Sequence, residues 1–281
     1  AELEKRIETK LTQEMVAVES INLGKASRMN DAQGRYIEFC KSSFTDLDLN
    51  GLSILLDCAN GATYSVAPKV FSELGAKVET IGSSPDGINI NQNCGSTNPN
   101  FLKEEIIKGS YDLGIAFDGD GDRILIVNSE GDILDGDDIL YILSNNLPAD
   151  SGVVGTLMTN KALEIYFEKN DIPFLRADVG DKYVLQRLLE ESWVLGGEPS
   201  GHIICLDSAP TGDAIIAALN LLDALKDNNF SVKKSLEGFK KFPQTLINLK
   251  VNNPNQIIIS DKFWSEVTRI EKQLGQNGRV L

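Results

Sequence analysis

The chain has 281 residues, of which 42% are hydrophobic and 24% charged, a composition typical of globular proteins. Its 27 basic and 41 acidic residues give a net charge of −14, which disfavours nucleic acid and anionic membranes as partners. A phosphorylated ligand would be repelled as well, so it would need local cations or a metal ion in order to bind.

The cysteines and the first residues indicate a cytoplasmic protein. The four cysteines are far apart and form no C-x-x-C pair, which favours neither a disulfide framework nor a zinc site. The N-terminal residues lack the order of a signal peptide, in which basic residues precede apolar ones, and no apolar run is long enough to span a membrane.

Both ends are those expected of a piece cut from a longer protein. Glu2–Val18 has the pattern of a charged helix, and no N-cap residue precedes it. Gly278–Leu281 begins a strand-like run that stops without a turn or a partner strand.

Between the ends, predicted strands and helices alternate. The first group of strands is Leu52–Cys58, Lys77–Ile81, Asp112–Phe117 and Arg123–Asn128, with helices over Ala67–Leu74, Phe101–Ile107 and Asp137–Leu143. After the weak linker Asn145–Gly152, strands follow at Val153–Leu157, Phe174–Ala177 and Ile203–Leu206, with helices over Lys161–Glu168, Tyr183–Leu189 and Asp213–Leu225. This order predicts the α/β class, with two consecutive α/β domains whose mixed sheets are covered by helices. Phe242–Val251 begins a further unit.

The sharpest motif is the loop Asp118–Arg123, which reads Asp-Gly-Asp-Gly-Asp-Arg after an apolar strand. Aspartate and glycine both disfavour strand structure, and the glycines allow the loop to bring Asp118, Asp120 and Asp122 together. Converging carboxylates repel one another unless a dication holds them, and oxygen ligands suit Mg²⁺ or Ca²⁺ better than zinc. The alternative is a solvated acidic turn.

Two other metal loops share features with this motif. An EF-hand starting at Asp118 would need glycine at its sixth position and glutamate at its twelfth, where this chain has Arg123 and Ser129. A haloacid-dehalogenase-type phosphatase also places D-x-D after an apolar strand, but it usually has threonine or valine where Asp122 stands. The first interpretation fails, and the second remains as a rival. Arg123 could hold a phosphate beside the metal, or simply balance the three aspartates.

A second motif, Gly196–His202, reads as a tight exposed loop that displays Glu198 and Ser200. A carboxylate and a hydroxyl side by side can hydrogen-bond to vicinal sugar hydroxyls, although the same residues are also ordinary turn residues. His202 is the only histidine of the chain, and a lone histidine is more often structural than catalytic.

A third motif, Val179–Tyr183, is a turn from a strand to a helix. Asp181 is placed as the N-cap of that helix. Lys182 is either a contact to phosphate or sugar or a solvated charge.

Taken together and in this order, the three motifs resemble those of the α-D-phosphohexomutase superfamily, and the chain is most similar to its bacterial phosphoglucosamine mutase branch. The resemblance covers nearly the whole chain. Besides the aspartate loop and the strand before it, it rests on Gly34–Cys40, Asp57–Tyr64 and Val154–Met158.

This resemblance implies four domains around one cleft. The chain would hold the end of domain 1 (residues 1–34), a metal-binding domain 2 (35–148), a sugar-binding domain 3 (149–245) and the start of domain 4 (246–281). Asp118, Asp120 and Asp122 would hold Mg²⁺, with Arg123 and His202 as the catalytic residues. Glu198, Ser200, Asp181 and Lys182 would bind the substrate.

The implied activity is intramolecular phosphoryl transfer. A phosphoserine in the first domain would convert glucosamine 6-phosphate to glucosamine 1-phosphate, through a 1,6-bisphosphorylated hexosamine, for cell-wall precursors. The full-length protein could form a homodimer.

The sequence also departs from the family pattern. It contains no serine-histidine-asparagine-proline run, and it lacks the phosphate-binding loop of the fourth domain, so the 281 residues alone should be inactive. Lys182 stands where related proteins tend to have arginine, and lysine lacks the planar fork of that side chain. The alternatives left open are a phosphomannomutase/phosphoglucomutase and a non-catalytic metal-binding module.

Overall fold

The computed structural model describes residues 2–14, 16–247, 250 and 260–281. The chain divides into two compact units, Ala1–Gly34 and Arg35–Leu281. In the first unit, helix α1 spans Glu2–Leu11, and a single 3-10 turn follows at Ser20–Asn22. The prediction of a helix as far as Val18 was therefore wrong. The β-branched residues Val16 and Val18 disfavour continuation of the helix.

The first sheet has five strands: β1 (Ser53–Asp57), β2 (Lys77–Ile81), β3 (Leu113–Phe117), β4 (Ile124–Asn128) and β5 (Ile133–Leu134). Their order is β2-β1-β3-β4-β5. Strand β1 is parallel to β2 and β3, whereas β4 is antiparallel to both β3 and β5. The helices of this part are α2 (Ala32–Ser42), α3 (Ala67–Glu73) and α4 (Asn100–Lys108).

The second sheet has four strands: β6 (Val153–Thr156), β7 (Phe174–Ala177), β8 (Leu195–Gly197) and β9 (Ile203–Cys205). Their order is β7-β6-β8-β9, with β6 parallel to β7 and β8, and β9 antiparallel to β8. The remaining helices are α5 (Gly136–Ser144), α6 (Lys161–Lys169), α7 (Asp181–Glu191), α8 (Ala214–Leu225), α9 (Val232–Ser235) and α10 (Asp261–Leu274).

One hydrophobic core joins the two sheets. Side chains of both sheets belong to it, among them Ile126 and Ile203, together with the apolar residues of α5 and α8. The opposite face of the first sheet packs on α4 through Leu102 and Ile106, and that of the second sheet packs on α7. Both sheets are therefore covered on both faces, which confirms the predicted α/β class with mixed sheets.

Several predicted elements differ from the structure. The sequence missed β5, α2, α9 and α10, and it treated β8 as part of a loop because two of its three residues are glycine. The predicted strand start at Gly278–Leu281 is irregular. For the predicted element Phe242–Val251, residues 242–247 are neither helix nor strand, and positions 248, 249 and 251 lie outside the described residues.

No helix among the described residues is both long and apolar enough to cross a bilayer. The four cysteines, Cys40, Cys58, Cys94 and Cys205, are buried free thiols.

Candidate active site

The aspartate loop lies between β3 and β4, where the chain reverses direction. One carboxylate oxygen each from Asp118, Asp120 and Asp122 can be chosen so that all three lie within 4.8 Å of one another. Asp118 is fully buried, Asp120 is exposed and Asp122 is half-buried. Gly121 has a φ of +79°, a conformation that side-chain-bearing residues rarely adopt. The loop thus brings the three predicted carboxylates to one point.

Asp118 organises this loop. Its Oδ1 accepts hydrogen bonds from the backbone N–H groups of Gly121, Asp122 and Arg123 at 3.2, 3.1 and 3.1 Å. Its Oδ2 accepts one from Arg123 Nε at 2.6 Å. Burial by itself would raise the pKa of Asp118, but the hydrogen bond from the Arg123 amide, together with the charge and hydrogen bond of the Arg123 guanidinium, lowers it. Asp118 is therefore held as an anion.

The carboxylate of Asp122 has fewer hydrogen-bond partners than that of Asp118. Its Oδ2 lies 3.1 Å from His202 Nδ1. Its Oδ1 is buried without a hydrogen bond, with Arg123 Nε 3.4 Å away. Burial, and then the neighbouring Asp118 carboxyl, raise the pKa of Asp122. A buried carboxylate oxygen without a hydrogen bond, beside two further carboxylates, fits a hard dication.

Two segments outside the strands contact the aspartate loop, one after β1 and one in the loop after β2. Ala62 N–H donates to Gly119 O at 2.8 Å. A Cβ on Gly61 would lie 2.2 Å from that same oxygen, so a side chain there would push the loop away. On the other side, Ile90 and Asn91 pack against Gly119.

The loop of the second motif connects β8 to β9, and its glycine start is not exposed as predicted. Gly196 and Gly197 are buried residues of β8, and only Ser200 among the loop residues is exposed. Glu198 Oε1 accepts a hydrogen bond from Gly180 N–H at 2.9 Å, which fastens the loop to the turn before α7. His202 has an exposed fraction of only 4%.

The two loops contact each other directly. Arg123 and His202 form an antiparallel bridge, and Ile124 N–H donates to Gly201 O at 3.0 Å. Gly136 N–H, at the start of α5, donates to Pro199 O at 3.2 Å. The three aspartates of the first loop and the candidate sugar-binding loop therefore lie side by side in one candidate site.

The third motif, Val179–Tyr183, differs from its prediction at the start of helix α7. Gly180, with a φ of +130°, is the N-cap of α7, and it makes no side-chain capping bond. The prediction that Asp181 is the N-cap was wrong, because a left-handed glycine begins this helix and Asp181 is its first helical residue. Asp181 and Lys182 are exposed. The hydrogen bond from Gly180 to Glu198 is what brings this turn beside the second motif.

Two further residues, Tyr36 and Asp213, connect helices α2 and α8 beside the aspartate loop. The sequence did not identify them as residues of the site. The Tyr36 hydroxyl lies 2.9 Å from both carboxylate oxygens of Asp213, which also caps α8 through the N–H groups of Ile215 and Ile216. The next residue, Ala214, donates its N–H to Gly121 O at 3.0 Å. An aspartate before an apolar helix is a usable N-cap signal, but nothing in the sequence points to its tyrosine partner.

Comparison with family models gives two matches. Residues 34–131 match the phosphoglucomutase/phosphomannomutase alpha/beta/alpha domain II, and residues 135–242 match domain III of the same family.

The sequence is also similar to individual proteins of this family. The chain is 50% identical to a phosphoglucosamine mutase of Acinetobacter baumannii over 99% of the chain and 63% of that protein. It is 49% identical to one of Pseudomonas aeruginosa over 100% of the chain and 64% of the relative. The chain thus spans less than two thirds of the length of these curated relatives.

A solved structure with a similar fold is that of Aspergillus fumigatus N-acetylphosphoglucosamine mutase in complex with GlcNAc-6P and magnesium. The TM-score is 0.67 at 20% identity, over 86% of this chain and 62% of the other. At this identity the match concerns the fold.

Proposed function

Because the chain belongs to the phosphoglucomutase/phosphomannomutase family, we propose that it is the central part of a phosphoglucosamine mutase. The observation that carries this proposal is the joining of the aspartate loop to the loop with Glu198 and Ser200, through the contact of Asp122 with His202. One site then combines groups for a metal and for sugar hydroxyls, as a phosphosugar enzyme requires.

The proposed reaction interconverts glucosamine 6-phosphate and glucosamine 1-phosphate, for cell-wall precursor synthesis in the cytoplasm. A phosphoserine of the full-length protein gives its phosphoryl group to the sugar O1, which loses its proton. The 1,6-bisphosphate turns round in the cleft and returns the 6-phosphoryl group to the serine. The 281 residues contain no serine-histidine-asparagine-proline run, so by themselves they should not catalyse this cycle.

Asp118, Asp120 and Asp122 would hold Mg²⁺, which would neutralise charge on the phosphoryl group in transfer. The Aspergillus neighbour was solved with magnesium, which supports the same ion here. Arg123 is bound to Asp118 through Nε, and its side chain is 39% exposed. Its two Nη groups can therefore contact a phosphate oxygen, which gives this residue a direct part in the reaction.

Glu198 and Ser200 would bind sugar hydroxyls, with Asp181 and Lys182 at the rim of the same region. Glu198 is oriented for this by Gly180 N–H, which occupies one carboxylate oxygen and leaves the other for the ligand. The relatives that are 49–50% identical are phosphoglucosamine mutases, which favours an amino-sugar substrate over mannose or glucose phosphates. Homodimerisation of the full-length protein remains part of the proposal.

The test compares the wild-type full-length protein with its Asp120→Asn variant. Calorimetry with Mg²⁺ and a coupled assay for glucosamine 1-phosphate should show loss of both metal binding and turnover in the variant. Asp150→Asn, a change at an exposed carboxylate of the linker, is the control and should alter neither.

Three outcomes would contradict parts of the proposal. Equal Mg²⁺ affinity in wild type and Asp120→Asn would remove the metal assignment. Faster turnover of mannose or glucose phosphates would replace the substrate, and metal binding without any mutase activity in the full-length protein would favour the non-catalytic module.

A further inference from the structure

The turn that follows β6, Thr156–Asn160 (the β6 turn), lies at the carboxyl edge of the second sheet. Strand β6 stands between β7 and β8 and is parallel to both, so the loops after these three strands meet at one edge. Glu198, after β8, accepts a hydrogen bond from Gly180, after β7, across the end of β6. The β6 turn therefore lies beside the proposed sugar ligands.

The β6 turn exposes two apolar side chains. Thr156 and Thr159 are fully buried, and Thr159 Oγ1 accepts a hydrogen bond from Thr156 N–H at 2.9 Å. Thr156 Oγ1 in turn accepts one from Met158 N–H at 3.2 Å. Between these threonines, Leu157 and Met158 are 43% and 38% exposed. Apolar side chains beside polar sugar ligands are suited to pack against the C–H groups of a sugar ring.

Two guanidinium groups bind the carbonyl oxygens of this turn. Arg176, in β7, donates from Nη1 to Thr156 O and Thr159 O at 2.7 and 2.9 Å. Its Nε and Nη2 are used by a carboxylate of α6. Arg279 donates from Nη2 to Thr159 O at 2.8 Å and also to Leu157 O. Arg279 thus holds the carbonyl group that lies between the two exposed apolar side chains.

The contact of Arg279 with the turn should contribute little to stability. Its acceptors are carbonyl oxygens rather than a carboxylate, and it shares Thr159 O with a second guanidinium. Burial, and then the charge of Arg176, lower the pKa of Arg279. The end of the turn is held independently, since the Asn160 side chain exchanges two hydrogen bonds with the backbone of Phe242. What Arg279 adds is therefore the orientation of the exposed part of the turn.

We infer that Arg279 is a positioning residue, which fixes the β6 turn so that Leu157 and Met158 line the sugar site. A turn that is already ordered loses less conformational freedom when a ligand binds against it. Arg279 stands 122 positions after Leu157, so its contact brings the last residues of the chain to this site. The inference rests on the proposed function, because its ligand is the hexosamine phosphate of that proposal.

The test measures KM and kcat for glucosamine 6-phosphate in the full-length protein. Arg279→Gln should raise KM about tenfold and change kcat less than about threefold, because an ordered wall serves substrate and transition state alike. Its urea midpoint should remain that of wild type. Arg279→Lys keeps N–H donors for both carbonyls, so its KM should stay within about threefold of wild type. Arg269→Gln, at an exposed arginine of α10, is the control and should change none of these values.

A double-mutant cycle shows whether Arg279 acts through the turn. Truncation of both apolar side chains in Leu157→Ala/Met158→Ala should itself raise KM. In that background Arg279→Gln should raise KM by less than about twofold further, because no side chain is left to position. Full additivity would mean that Arg279 contacts the phosphate of the substrate directly, and it would overturn the positioning role.

The inference is also overturned if Arg279→Gln or the double alanine variant has the KM of wild type, or if Arg279→Lys is as impaired as Arg279→Gln. Lower stability of Arg279→Gln with an unchanged KM would make the residue merely structural. An inactive full-length wild type would contradict the proposed function itself, so the two failures can be told apart.

Discussion

The aspartate loop and the loop from Glu198 to His202 occupy the same position in two sheets of the same strand order. In both sheets the first strand in the chain is parallel to the second and third, and the third is followed by an antiparallel partner. Each loop connects that third strand to its antiparallel partner. One topology therefore presents three aspartates in one copy and Glu198 and Ser200 in the other.

The two loops differ in what holds them. The aspartate loop is wrapped around its own residue Asp118, through three backbone N–H groups. The loop from Glu198 to His202, called the sugar loop below, closes through Glu198 N–H to His202 O and Gly201 N–H to Glu198 O. It is held in addition by three groups outside itself, those of Gly180, Gly136 and Ile124. We therefore expect changes within the aspartate loop to destroy its geometry, and the sugar loop to fail when its neighbours are changed.

The largest effect is expected for Asp118→Ala. It removes the acceptor of three backbone amides and leaves Arg123 Nε without its carboxylate, so it should abolish Mg²⁺ binding and destabilise the protein by about 3–5 kcal/mol. Asp120→Ala, at the exposed carboxylate, should also abolish metal binding but change stability by less than about 0.5 kcal/mol. Urea denaturation and calorimetry separate the two. Equal stability of both variants would show that the loop does not depend on Asp118.

The next effect tests the dependence of the sugar loop on the first sheet. In Gly201→Ala, the new Cβ would lie 1.9 Å from Ile124 O at a φ of +93°, so it should force the loops apart. We expect a cost of about 3 kcal/mol, from the left-handed conformation and the overlap together. Weaker sugar phosphate binding should accompany it.

Gly238→Ala is the matched control for that prediction. Gly238 has a similar φ of +88°, and a Cβ added there would meet nothing within 4 Å. It should show only the cost of the left-handed conformation, about 1 kcal/mol. If thermal or urea denaturation gave the same loss for both variants, the contact with Ile124 would not hold the loops together.

The convergence of Asp118, Asp120 and Asp122 could be predicted from the sequence, because the residues of the loop and their spacing determine it. The sequence also predicted β2 and β7 with their observed bounds, since alternating or continuous apolar runs mark strands directly. Contacts such as His202 with Asp122 join residues 80 apart, and no periodicity encodes them. Glycines were the other source of error. Gly196 and Gly197 suggest a loop, yet they form a buried strand where Val184 and Leu188 leave no space for side chains at Gly196.

A smaller effect is expected at helix α5, where the two sheets meet. Asp137, at the start of α5, accepts a hydrogen bond at 2.8 Å from the N–H of Asn160, the N-cap of α6, and it is almost fully buried. Burial, and to a smaller extent Asp135 and Asp138, raise the pKa of Asp137 to about 7, although Asn160 and Lys241 oppose the change.

The sign follows from linkage. A carboxyl whose pKa is raised by folding stabilises the folded state below its unfolded pKa near 3.8, and this contribution is lost as pH rises to about 7. Compared with Asp137→Asn, wild type should therefore lose on the order of 3 kcal/mol of unfolding free energy between pH 4 and pH 7. Urea denaturation at several pH values measures it, with Asp150→Asn as the exposed control. Parallel curves for wild type and Asp137→Asn would contradict the buried neutral carboxyl.

The smallest effect concerns the boundary that we place in the linker, near residue 148. Residues Asn145, Asn146 and Pro148–Asp150 are exposed, so a specific protease site inserted between Ala149 and Asp150 should be cut readily. The two sheets share one core through α5 and α8, and the two loops are joined by the bridge of Arg123 with His202. The cut halves should therefore stay together and elute from a sizing column as the uncut chain does. Elution as two separate species would show instead that the linker is a hinge between independent domains, and that the aspartate and sugar loops meet only transiently.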